Sequence, residues 1–84
     1  MQTREDIFNT LRDALVELFE LDPAGISLES NLYQDLEIDS IDAVDLIDHI
    51  KRQTGKKIAA DEFKAVRTVN DVVEAVYRLV NNAA

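Results

Sequence analysis

The 84-residue chain contains no cysteine, which excludes a disulfide framework, a thiolate metal site and a cysteine nucleophile together. Any thiol chemistry it joins must come from an added group. It also lacks any run of 18 or more apolar residues, so no membrane-spanning helix is predicted. Its first residues show no basic segment followed by an apolar stretch, the pattern of a secretory leader. A cytoplasmic location is the expectation. Positive charge is scarce, with nine Lys and Arg against 17 Asp and Glu and a formal net charge of -8. That balance opposes nucleic acid and anionic lipid, and its natural complement is a basic protein surface. Histidine occurs once, at His49, and no internal repeat or low-complexity tract is present.

What the chain does have is 46% hydrophobic residues, enough to fold. Its length fits one domain, 1–84, too small for a deep catalytic cavity flanked by structural layers. The spacing of Ile7, Leu11, Ala14, Leu15 and Leu18 predicts a helix over Thr3 to Phe19, capped by Thr3 with Asp6. Pro23 and Gly25 end it. About 14 residues without a period follow, Gly25 to Ile38, whose Ile26, Leu28, Leu32 and Leu36 are expected to tack a long loop to the core. A second helix starts at Asp39 or Ser40 and runs to about Thr54, with Gly55 as its stop.

A short helix is predicted at Asp61 to Ala65, with Asp61 as cap. The last helix opens at Thr68, again with a capping partner at Asp71. It carries Val69, Val72, Val73, Val76, Tyr77 and Val80, whose i, i+3, i+4, i+7 spacing overrides the strand preference of so many valines. Asn81 to Ala84 are expected to fray. The fold class is therefore all-α, a small antiparallel bundle of three main helices plus one short helix.

The second helix is the informative segment. From Glu29 to Asp48 there are seven acidic residues and no basic one, and Lys51, Arg52, Lys56 and Lys57 follow. With Ser40 at zero and about 100° per residue, Ala43, Leu46, Ile47 and Ile50 form a core stripe between roughly -120° and -20°. Ile41 falls among Asp45, Asp48 and Arg52, and Val44 lies at the border of the two faces. An apolar residue ringed by acids suits docking of a basic partner, by charge steering around a central anchor. The same acids also read as an ordinary solvated face, with Asp39 and Asp42 well placed at a helix N-terminus. Ser40 alone reads as a common helix-start residue. What the position adds is an exposed hydroxyl beside free backbone N–H groups, a favourable place for an attached phosphate.

Asp39-Ser40-Ile41-Asp42, preceded by Asp35-Leu36 and followed by Val44-Asp45-Leu46-Ile47, resembles the phosphopantetheine attachment motif of acyl carrier proteins. The resemblance covers nearly the whole chain. Ile26-Ser27, Asn31 to Leu36, Ile58 and Val66-Arg67-Thr68-Val69 all occupy matching places. It implies a covalent 4'-phosphopantetheine arm on Ser40, installed from coenzyme A with magnesium by a phosphopantetheinyl transferase, whose terminal thiol carries an acyl group as a thioester. The absence of cysteine then fits. It further implies a partner-binding face of Asp39, Ile41, Asp42, Val44, Asp45 and Asp48, read by ketosynthase-type and other acyl-transferring enzymes with basic docking surfaces. An acyl-chain pocket would be lined by Leu46, Ile47, Ile50, Val72 and Val76. The expected state is a monomeric carrier, not an enzyme, that neither binds nucleic acid nor inserts in a membrane.

Four departures bear on the subtype. Glu37 stands where a glycine precedes the motif in the family, Ile41 replaces the usual leucine, Asp48 takes a position often apolar, and Lys51 and Arg52 interrupt the acidic run. They leave the attachment chemistry intact and alter the recognition surface. A dedicated pathway, polyketide, aryl polyene or another specialised product, therefore stands beside general fatty-acid synthesis. The paired glycines that precede the serine of peptidyl carriers are missing.

Three other readings compete with this one. A calcium loop over Asp35, Glu37 and Asp39 fails at its sixth position, Ser40 for glycine, and at its twelfth, Leu46 for glutamate. A hydrolase using Ser40 and His49 fails because the two lie about 180° apart on one helix; His49 is expected at the surface. A non-modified acidic helical adaptor for a basic protein is the remaining alternative, and it predicts no covalent modification.

Overall fold

A computed structural model describes residues 3–81; of the stretch expected to fray, Asn81 is still helical and 82–84 lie outside the described residues. Among the described residues four helices occur: α1 (Arg4–Phe19), α2 (Ser40–Thr54), α3 (Ala60–Lys64) and α4 (Val69–Asn81), with a 3-10 turn at Pro23–Gly25 in the first connection. The all-α bundle of three main helices and one short helix expected from the sequence is the architecture observed, with α1 packed against both α2 and α4.

The capping residues explain where the long helices begin. Thr3 accepts the N–H of Asp6 ahead of α1. Asp39 and Asp42 form a reciprocal capping box ahead of α2, and Thr68 and Asp71 exchange the same kind of bonds at the start of α4. Each bond engages an N–H that the first turn leaves without a helical partner. At the other end of α2, Gly55 takes the left-handed backbone (φ 74) and its N–H donates to Lys51 O, a stop that glycine adopts without steric cost. The short helix differs from expectation. It begins one residue earlier than predicted, Ala59 occupies the cap position without a side-chain bond, and Asp61 lies inside the first turn.

Asp71 is engaged twice over. The N–H groups of Arg67 and Thr68 both donate to its carboxylate and hold it below the usual carboxylate range. A carboxyl depressed on folding stabilises the protein above its unfolded value, and that contribution is lost as pH falls through the lower folded value. Asp71→Asn is therefore expected to lower the melting temperature near neutral pH and to flatten its decline below about pH 4, measurable by thermal melts across an acid series. On the exposed side of the bundle, Arg4 ties the first helix to the last through Glu74 (Nε to Oε1 2.6 Å) and lies 4.1 Å over the Tyr77 ring.

One hydrophobic core serves the described residues. Ile7, Leu11, Ala14 and Leu15 of α1 meet Ala43, Leu46 and Ile50 of α2, Ile58, Phe63 and Val66 around α3, and Val69, Val72, Val73 and Val76 of α4. The predicted core contacts hold with two exceptions, one on a helix and one in the loop. Leu18, placed on the core face of α1 by its spacing, is 38% exposed at the end of the helix, and Leu28 is 43% exposed. The other loop apolars, Ile26, Leu32, Leu36 and Ile38, are buried as expected.

The long first connection is held by backbone as well as by side chains. Leu32 N donates to Arg67 O, Val69 N to Ser30 O and Asn70 N to Leu28 O, so the loop is laced to the start of α4. Asn31 Oδ1 accepts the N–H groups of Tyr33 and Gln34, and Asp35 accepts that of Asn31 at 2.7 Å. Ile38 N then donates back to Leu32 O, closing a compact turn that delivers the chain to Asp39. That reversal puts Glu37 in the left-handed region at φ 55, a conformation costing roughly 1–2 kcal/mol for a residue with a Cβ. Glycine there escapes the cost but loses more backbone freedom on folding. The net expectation is that Glu37→Gly stabilises by about 0.5–1 kcal/mol, read as a melting temperature a few degrees higher.

Candidate functional site

The turn and the capping box together present Ser40. It is the first residue of α2, exposed, directly after a cap whose Oδ1 accepts from both Ile41 N and Asp42 N at 2.9 Å. Asp42 Oδ2 in turn receives Asp39 N at 3.4 Å. Two of the N–H groups expected to be free for a phosphate are therefore already taken by the Asp39 carboxylate. The helix start fixes the backbone of Ser40 and does not itself offer an anion cradle.

The chain has three serines, and their hydroxyls differ sharply. Ser30 is buried, and its Oγ accepts Ser27 N and lies 3.3 Å from Gly25 O and 3.2 Å from Ser27 Oγ. Those contacts engage both Ser27 and Ser30 in the loop. Ser40 Oγ makes no hydrogen bond among the described residues, so it is presented to solvent without a competing partner. A primary hydroxyl on a rigid, exposed backbone fits a covalently attached phosphodiester arm, because bond formation there breaks no existing contact.

Around it the expected face assembles unevenly. Ile41 is 73% and Val44 64% exposed, so Val44 is not a border residue as the helical wheel placed it. The two are neighbours at i, i+3 and form an apolar pair on an otherwise charged surface. Asp39 and Asp45 are exposed and Asp42 is half-buried. Asp48 is held by Arg52 at 3.0 Å in an i, i+4 ion pair. Asp35 and Asp39, two of the three carboxylates of the rejected calcium loop, are engaged with backbone N–H groups. His49 is half-buried rather than fully at the surface, at the crevice between α1 and α2 with Thr10 and Gln53.

The residues expected to shelter an acyl chain lie at different depths. Leu46 and Val72 are wholly buried, Ile50 and Val76 line the α1–α2 crevice with Ile7, Leu11 and Ala14, and Ile47 is partly buried against the core. The crevice offers about 10 Å³, room for one water molecule at most.

The family model for the phosphopantetheine attachment site matches residues 9–76. The chain belongs to the acyl carrier protein family. Acyl carrier protein 2 of Ralstonia nicotianae is 44% identical over 78 residues, covering 93% of this chain and 96% of that protein. The acyl carrier protein of Lactobacillus acidophilus is 35% identical over 74 residues, 88% of this chain and 92% of that one, and that of Thermotoga maritima is 30% identical over 76 residues. As a member of this family the chain is a carrier and not an enzyme, and its cofactor is covalent 4'-phosphopantetheine. The exposed, unengaged hydroxyl at the head of α2 is the kind of group that such an arm requires. Among the described residues, no helix is long and apolar enough to cross a membrane.

Proposed function

We propose that this carrier domain holds acyl intermediates on an arm attached at Ser40 and presents them to biosynthetic enzymes through the first turns of α2. The observation that carries the reading is the Ser40 hydroxyl, exposed and without a hydrogen-bond partner among the described residues while Ser27 and Ser30 are engaged. In loading, Ser40 Oγ forms a bond to the pantetheine-side phosphorus of coenzyme A, the nucleotide portion leaves with the pyrophosphate bond electrons, and the hydroxyl proton passes to the transferase. The bound arm supplies the terminal thiol on which an acyl group travels as a thioester. The capping box holds Ser40 in place for both loading and delivery.

Asp39, Asp42 and Asp45 draw in a basic partner, and Ile41 and Val44 give it an apolar contact that excludes water once docked. Leu46, Ile47, Ile50, Val72 and Val76 shelter the cargo when α1 and α2 separate. The departures at Glu37, Ile41, Asp48, Lys51 and Arg52 favour a dedicated pathway over general fatty-acid synthesis, because they change the surface that partners read and leave the hydroxyl untouched.

The test is intact mass after incubation with coenzyme A, magnesium and a broad-specificity phosphopantetheinyl transferase, followed by fragmentation to locate the added group. One arm on Ser40 supports the reading. An unchanged mass with several active transferases would instead favour an unmodified acidic adaptor. For the docking face, Ile41→Lys is expected to leave folding nearly intact, since the side chain is 73% exposed, and to weaken delivery to a cognate enzyme about tenfold or more. Unaltered delivery would displace the face from Ile41.

A further inference from the structure

The charges on α2 change sign along its length. Asp39, Asp42 and Asp45 occupy the start, Asp48 is paired with Arg52, and Lys51 and Arg52 form the last turn. Beyond Gly55, Lys56 donates its Nζ to Leu79 O at 3.3 Å, and Lys57 is exposed. Lys51 makes no ion pair among the described residues. At about 100° and 1.5 Å per residue, Lys51 lies within about 20° of Val44 around the helix and roughly 10 Å further along it. Arg52 falls within about 20° of Ile41 and roughly 16 Å beyond it. The basic end therefore lies on the same exposed side as the apolar pair and Ser40. Asp45, exposed and within about 20° of Arg52 around the helix, lies there too, while half-buried Asp42 faces away from Lys51. A surface lying along this side of α2 would still meet both signs. Cations in a last turn complement the helix dipole, which accounts for their position in the chain. Whatever their structural benefit, they repel a partner that is uniformly basic along α2.

We propose that α2 is a two-signed docking strip. On this side the second turn, at Asp45, receives a cation of a partner enzyme, Ile41 and Val44 receive an apolar contact, and Lys51 with Arg52 receives one or more carboxylates roughly 10 Å further along the helix. The occupant is a protein surface with basic and acidic groups in that order, and the basic end discriminates against partners that are basic throughout. The inference rests on the carrier reading above and names the partner chemistry of the same surface.

Two synthetic helical peptides of equal length test it against the 15N-labelled protein by chemical-shift titration at low ionic strength. One carries lysines on its first two turns and glutamates on its last two; the other carries lysines throughout. The comparison is between the native chain and the double variant Lys51→Glu, Arg52→Glu. Net charge alone predicts that the more negative variant binds the all-lysine peptide better and the mixed, neutral peptide no worse. The strip predicts opposite signs, with the mixed peptide weakened about fivefold and the all-lysine peptide strengthened by a similar factor. It also predicts native shifts running from residue 39 to residue 52 with the mixed peptide. A mixed peptide that binds both proteins equally, or shifts confined to residues 39–45, would overturn the strip. Loading of Ser40 by the transferase is measured on the same samples. A loaded protein with failed titrations rejects the strip alone, whereas an unloadable one rejects the carrier reading beneath it.

Discussion

Ser40→Ala is expected to abolish loading by the phosphopantetheinyl transferase completely while leaving thermal unfolding within a few degrees of the parent. Loss of loading follows if Ser40 Oγ is the acceptor, because the other two serines and three of the four threonines have their hydroxyls engaged. Ser27 and Ser30 are engaged with one another and with loop backbone. Thr3 and Thr68 accept the N–H groups that begin α1 and α4, and Thr54 Oγ1 lies 2.9 Å from Ile50 O. Preservation of the fold follows because the Ser40 hydroxyl makes no bond among the described residues, and alanine is a good helix former at the first position. The change should be about 0.5 kcal/mol or less. Intact mass and a thermal melt on one preparation check both halves. An arm still gained by the variant would place attachment elsewhere. A large fall in melting temperature would show that Ser40 serves the helix start as well.

The long helices could be read from sequence because each start is marked by a pair of residues three apart, Thr3 with Asp6, Asp39 with Asp42 and Thr68 with Asp71, and because the apolar periods are long. The short helix lacked such a pair. Asp61 looked like its cap, yet the chain begins helical structure at Ala60 with the alanine before it in the cap position, and five residues are too few for a period to correct the error. Leu18 departs from expectation because spacing says which side a residue faces and not whether a neighbour is there to cover it, and Leu28 because its loop has no period to tell which apolar residues turn inward. Val44 illustrates the same limit. A wheel puts it between two faces, while the packing of α1 on α2 leaves it 64% exposed and so joins it to Ile41.

The site was legible in unequal parts. Resemblance singles out Ser40, but what distinguishes its hydroxyl, having no hydrogen-bond partner among the described residues while Ser27 and Ser30 are engaged, rests on loop contacts that no sequence period reveals. The idea of free N–H groups beside it failed for a local reason: the cap that orders the helix start consumes them. Glu37 shows the opposite case. Its departure from a glycine was visible in the sequence, and the structure supplies the physical meaning, a left-handed residue at the turn into α2.

Leu46→Ala is expected to be the most destabilising of the changes considered, by about 3 kcal/mol. Leu46 is fully buried on the side of α2 that belongs to the shared core, so truncation removes transfer free energy and leaves a void that rigid helices collapse only in part. In a domain of this size that corresponds to a melting temperature lower by roughly 12–24 °C, a large share of a total stability near the low end of about 5–15 kcal/mol. Ile47→Ala, at a partly buried position on the same helix, should cost less than half as much. The same variant probes the shelter proposed for the cargo. The native crevice has space of about 10 Å³, so an acyl chain entering it must first part α1 from α2, whereas the truncated core offers room for a few methylenes already made. Each methylene that leaves water contributes about 0.8 kcal/mol. An octanoyl thioester on the arm is therefore expected to raise the melting temperature of Leu46→Ala by more than it raises that of the native carrier, and thermal melts of the four species, loaded and acylated or loaded alone, measure the difference. Equal shifts in both backgrounds would place the acyl chain outside the bundle, against the exposed apolar pair Ile41 and Val44 instead of between the helices.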